Sequence, residues 1–93
     1  MENTYLISVE ECCDHYHVEL AFIDSLEAHG LIEPAIVENR RYIDNDHLQE
    51  FERLVNLHYE LDINLEGMEV ITRLLNRIEM MQEQIKELKN RVG

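Results

Sequence analysis

The segment GLIEPAIVENRRYIDNDHLQEFERL, residues 30–54, decides how this chain folds. Gly30 closes an apolar-periodic run, and glycine takes the left-handed turn that ends a helix at no steric cost. Pro34 cannot continue a helix, and AIVENRRYI reads as two short strands turning around Glu38 and Asn39. Asp44 or Asp46 can then cap a helix in which Leu48, Phe51, Leu54, Val55 and Leu61 recur at three- and four-residue steps.

Upstream, SVEECCDHYH opens with a capping box. The Ser8 hydroxyl can accept the Glu11 backbone N–H while the Glu11 side chain reaches back. Val9, Cys12, Cys13 and Tyr16 then share one helical face. A second short helix over residues 19–29 turns Leu20, Ile23 and Leu26 inward and stops at Gly30. Downstream, Asp62, Ile63 and Asn64 form a break, and Asn64 can cap the last helix. There Ile71, Ile78, Ile85 and Val92 stand seven apart, as do Leu74, Met81 and Leu88. β-Branched residues at one position and Leu or Met at the other make a coiled-coil seam. A helix of that length extends on the order of 40 Å at 1.5 Å per residue. So long a stripe needs a second chain to cover it, and the expected state is a homodimer. Its orientation, parallel or antiparallel, is left open by the flanking residues. The expected fold is mainly α: a helix–turn–helix head with a small β-hairpin wing over residues 1–63, and a C-terminal dimerisation helix over 64–93.

The charge is uneven. The formal net charge is -12, and residues 1–39 hold nine acids with no Lys or Arg. From Ile71 onward Arg73, Arg77, Lys86, Lys89 and Arg91 outnumber Glu79, Glu83 and Glu87. An acidic head repels a polyanion and attracts a basic protein surface. No apolar run reaches the ~20 residues of a membrane span, and the N-terminus has no signal-peptide core, so a cytoplasmic protein is expected. The adjacent Cys12 and Cys13 fit reduced, buried thiols better than a disulfide. CCDHYH offers Cys12 with His15 or Cys13 with His17, but four ligands on successive helical positions cannot converge on one ion. No phosphate loop or nucleophile motif is present, so neither an enzyme nor a cofactor is expected.

The ordered set ISVEECCDHYHV, IDSLEAHGLIEP and RRYIDNDHLQEFERL resembles the MerR-like winged helix-turn-helix superfamily. RLVNLHYELDINLEGMEVITRLLNRIEMM, residues 53–81, is similar to the CbpM-type chaperone modulators. There a helix ends near an acidic-Leu pair (Glu60, Leu61), followed by a break at Ile63 and Asn64, a Gly67-Met68 step and a leucine-rich helix. This resemblance implies a bacterial, non-enzymatic protein that binds the J-domain of a CbpA-type (DnaJ-like) co-chaperone and suppresses its stimulation of a DnaK-type chaperone.

DNA-binding relatives carry basic and aromatic residues on the second helix of the head and basic residues on the wing. Here that helix reads ELAFIDSLEAHG, with Ala21, Asp24, Ser25 and Leu26 in those places. The expected partner surface is therefore acidic: Glu10, Glu11, Asp14, Asp24 and Glu27. The alternative is a dimeric DNA-binding regulator, with Arg40 and Arg41 on phosphates and the 19–29 helix in the major groove. Under the modulator reading those arginines instead pair with Glu38 or Asp44 and shape the wing. The dimerisation residues are Ile71, Leu74, Ile78, Met81, Ile85, Leu88 and Val92.

Overall fold

The computed structural model describes residues 4–92. Strand β1 (Leu6–Ser8) leads into helix α1 (Val9–Tyr16), then α2 (Leu20–Ala28), β2 (Ala35–Val37), β3 (Arg40–Asp44), α3 (Leu48–Tyr59) and α4 (Leu65–Val92). Mainly α with a small antiparallel sheet, the order matches the expected head, wing and long final helix.

Local chemistry sets each boundary. The Ser8 Oγ accepts the Glu11 N–H at 3.1 Å, starting α1 with the first of the two bonds of the expected capping box. His17 ends α1 in the left-handed conformation (φ 57°), and Val18 donates its N–H to the Cys13 carbonyl at 3.1 Å. This Schellman-type stop swings Val18 into the core and creates the turn between α1 and α2. Gly30 (φ 71°) follows the α2 cap, and the Leu31 N–H returns to the Leu26 carbonyl at 2.9 Å.

The hairpin turns on Glu38 (φ 50°) and Asn39 (φ 65°), with Val37 opposite Arg40. Two consecutive left-handed residues make a type I′ turn, whose twist matches that of the strands. The wing holds more than the expected hairpin. β1 adds a third strand in the order β1-β3-β2, pairing Ile7 with Ile43. Tyr5 and Asn45 extend this edge. The Tyr5 N–H donates to Asn45 Oδ1, and the Asn45 N–H to the Tyr5 carbonyl, each at 3.1 Å. The entrance to α1 is thus sewn to the exit of the wing.

Asp44 rather than Asp46 supports the start of α3, its Oδ1 accepting the His47 N–H at 2.9 Å. At the far end, the His58 Nδ1 lies 3.1 Å from the Ile63 carbonyl, closing the α3–α4 break. Asn64 Oδ1 accepts the Gly67 N–H at 2.8 Å, the cap expected for α4. Gly67 is fixed by space: a Cβ there would stand 2.8 Å from Ile63 Cγ2.

The core gathers one face from each helix. Val9 and Cys12 come from α1, Phe22, Ile23 and Leu26 from α2, and Phe51, Leu54 and Val55 from α3. Ile43 closes it from β3 and Met68 from α4, the latter with no exposed surface. Phe22 stacks on the His58 ring at 4.7 Å and meets Tyr59 edge-on at 5.1 Å. Two apolar expectations fail. Leu20 is about half exposed, because the inward face of α2 runs through Phe22, Ile23 and Leu26 rather than through residue 20. Leu61 is exposed, since α3 stops at Tyr59 and the chain reverses at Asp62 (φ 55°) before Leu61 can reach the core.

Beyond Met68, α4 leaves the head. Leu74, Ile78, Met81, Ile85 and Leu88 are each about half exposed and Val92 is 90% exposed, while Ile71 is partly covered. From Leu74 onward the seam is a continuous apolar stripe with nothing packed on it among the described residues.

Candidate functional site

The acids expected to meet a partner are brought together by the wing, and three of the five are held in ion pairs. Arg41 reaches from β3 to α2, with Nη2 2.8 Å from Asp24 Oδ1 and Nη1 2.6 Å from Glu27 Oε1. Arg40 reaches α1, its Nη2 3.0 Å from Glu10 Oε1. Hydrogen bonds to Glu27 and then Asp24 hold the Arg41 guanidinium above its ordinary pKa, and the bond to Glu10 does the same for Arg40. The partners differ from the expected Glu38 and Asp44. β3 lies beside α1 and α2, so side chains near the hairpin turn fall against helix carboxylates 14 to 30 positions away in sequence. Glu11 and Asp14 remain exposed on α1 with no ion pair among the described residues.

These pairs change what both readings can use. A wing arginine that contacts phosphate must offer its donors outward, whereas Arg41 turns both terminal nitrogens, and Arg40 one, toward carboxylates. On the surface of α2, Asp24 and Glu27 stand beside Arg41, and two carboxylates outweigh one guanidinium.

Residues 1–63 carry fifteen acids against Arg40, Arg41 and Arg53, and residues 64–93 carry five against five, so the whole net charge of -12 belongs to the head.

Other titratable groups tie elements together. His29 Nδ1 sits 2.8 Å from Glu69 Oε1, linking the end of α2 to α4. His47 pairs with Asp44 across the first turn of α3. That hydrogen bond raises the His47 pKa and lowers that of Asp44.

The thiols are free: Cys12 is buried and Cys13 half-buried. Burial, with the Cys13 and Glu11 charges behind it, pushes the Cys12 pKa up to about 11. Burial and the Asp14 and Glu10 charges raise that of Cys13. Both remain protonated thiols near neutral pH, a poor form for nucleophile or metal ligand. Among the described residues no three His, Cys, Asp or Glu side chains are grouped to hold a metal ion, and no helix is long and apolar enough to cross a membrane.

Between the 30–35 segment and the start of α3 lies a cleft of about 220 Å³, bounded by Pro34, Ile43, Asp44, His47 and Glu50. A second, shallower depression lies between that segment and α2, against Glu27, Ile32 and Ile36. Neither was visible in the sequence, where Ile36 reads only as one residue of a strand. The signal available was three consecutive apolar residues, Ala35, Ile36 and Val37, in a strand too short to be buried.

Comparison with known proteins agrees with this architecture. Residues 7–90 match the family described as MerR HTH family regulatory protein. The chain is similar over its whole length to the chaperone modulatory protein CbpM of Pseudomonas entomophila (strain L48), with 24% identity over 96 residues that cover 95% of that protein. No solved structure matches. With a helix–turn–helix head, a β wing and a long final helix in the matching order, this chain belongs to the MerR HTH family.

Proposed function

We propose that this protein is a non-enzymatic chaperone modulator that binds the J-domain of a CbpA/DnaJ-type co-chaperone through its acidic head and suppresses the co-chaperone's activity. The observation that carries the reading is the pairing of Arg40 and Arg41 with Glu10, Asp24 and Glu27. The two wing arginines are each partnered by carboxylates of the helices beside them, and the surplus charge of the head is negative. Such a surface is complementary to a cationic polypeptide and repels a phosphate backbone. Two copies pair along the α4 seam, with residues 1–63 as the working head and 64–93 as the dimerisation helix, and the protein acts in the cytoplasm.

The test is a calorimetric titration of a purified CbpA-type J-domain, repeated at rising ionic strength, beside a chaperone ATPase assay. Binding that weakens with salt and lowers the stimulated ATPase supports the reading; no binding at low salt overturns it. The family match keeps a DNA-binding regulator as the competing outcome. A competitor-resistant mobility shift on pooled genomic fragments, lost in Arg40→Ala/Arg41→Ala, would establish that function instead.

A further inference from the structure

The partner-facing part of the head was expected on the α1 and α2 acids, yet three of those five are occupied by wing arginines. The opposite edge of the wing has different properties. β2 is the outer strand of the sheet, pairs only with β3 among the described residues, and exposes all three of its residues. Ile36 is 70% exposed and Val37 44%. Exposed β-branched residues on an edge strand are usually covered or interrupted by charge; here the strand itself carries none, and the charges nearest it are Arg41 and Arg40, opposite Ile36 and Val37 on β3.

Two depressions flank this edge and share the 30–34 segment as a common wall. Their apolar surfaces come from Ile32, Pro34, Ile36 and Ile43. Their rims carry Glu33 and Glu50, neither with an ion pair among the described residues, together with Asp44, which is paired with His47, and Glu27, which is paired with Arg41. Apolar side chains beside two unmatched carboxylates are complementary to one kind of occupant: a protein segment with aliphatic side chains flanked by Lys or Arg. A three-residue edge is too short for strand addition to dominate, so side chains supply the contact. Aliphatic residues three or four apart share one face of a helix, so a helix can offer more than one such side chain to this edge at once.

We propose that the β2 edge with the 30–34 segment is the docking site for a cationic amphipathic helix of the partner protein. This rests on the reading above and moves the centre of its contact surface from the α1–α2 acids to the outer strand of the wing, with Glu27 at the boundary between the two.

The experiment uses the whole chain and a purified CbpA-type J-domain, with affinity measured by calorimetry. Three variants are compared: Ile36→Ala, the double variant Glu33→Gln/Glu50→Gln, and Glu11→Gln/Asp14→Asn on α1. All the substituted side chains are exposed or part-exposed, and circular dichroism verifies the fold. Loss of the Ile36 contact is expected to weaken binding about tenfold. The rim double variant is expected to weaken it on the order of tenfold and flatten its salt dependence, with the α1 variant within about twofold of the parent. Ile36→Ala and the rim variant both binding like the parent would overturn the docking site while leaving the modulator function standing. Loss confined to the α1 variant would do the same. If the parent chain itself fails to bind, the function and the docking site fall together. A change in self-association rather than J-domain affinity in the wing variants would assign the edge to a second copy and overturn the proposal.

Discussion

Ile78 lies in the middle of the exposed seam, and replacing it with Asp is the sharpest test of pairing along α4. Ile78 leaves 48% of its surface open to a second chain. Full burial of such a side chain contributes about 1.5–3 kcal/mol, so closing the remaining half adds about 1 kcal/mol per chain, or about 2 kcal/mol per pair. An aspartate at this position would have to enter the seam charged or take up a proton. Holding a carboxyl of pKa near 4 neutral at pH 7 costs about 4 kcal/mol, which caps the penalty for each chain.

Even half of that cap, added to the lost contact, gives about 6 kcal/mol per pair, or about a 10⁴-fold weaker association. The same reasoning predicts partial recovery near pH 4, where protonation is inexpensive. Sedimentation velocity over a range of concentrations reads the effect. Met80→Asp is the control, because Met80 is 64% exposed and lies off the seam. An Ile78→Asp chain that associates as tightly as the parent, or a Met80→Asp chain that dissociates equally, would refute the reasoning.

Met68→Ala should cost about 2–5 kcal/mol, the range for deleting a fully buried methionine, and lower the melting temperature by on the order of 10–25 °C in a calorimetric scan. Arg41→Met removes contacts of 2.8 and 2.6 Å that are partly screened by solvent, so about 1–2 kcal/mol of stability should disappear in urea titration without unfolding the head. The Asp44–His47 pair has a defined pH window. Asp44 is depressed below 3.8, so its contribution is present above that value and fades as pH falls through the lower folded pKa. His47 is raised above 6.5, so its contribution is complete below 6.5 and fades as pH rises through the higher folded pKa. Asp44→Asn should therefore lose the most stability between about pH 4 and 6.5 and less in alkaline solution, a profile read by thermal melts at stepped pH with NMR titration of His47.

Much of this architecture is legible in the sequence because its signals are local. Ser8 and Glu11, Gly30, the Glu38–Asn39 turn and Asn64 each act within four residues, and the seam repeats every seven. What escapes is set by distance. β1 has three residues and exists only because β3 arrives beside it from 34 to 38 positions further on. Leu20, Ile23 and Leu26 fit a three-residue step on paper, yet the face that meets the core is centred on Phe22 and Ile23. The ion pairs of Arg40 and Arg41 were assigned to neighbouring carboxylates, whereas the sheet carries these side chains to α1 and α2. Composition exposes the acidity of the head, but only the folded chain separates acids already matched by arginine from those still unmatched.

Met68 is rooted in the head and Gly67 presses against Ile63, so α4 behaves as a lever clamped at one end. From Met68 to Val92 the arm is about 36 Å at 1.5 Å per residue. A tilt of about 10° at the clamp therefore displaces the tip sideways by about 6 Å, more than half the roughly 8–10 Å that separates packed helix axes. Side-chain packing along the stripe is lost within an ångström or so of separation, so a small rotation where the arm leaves the head would decide whether its far end can stay closed against a second copy.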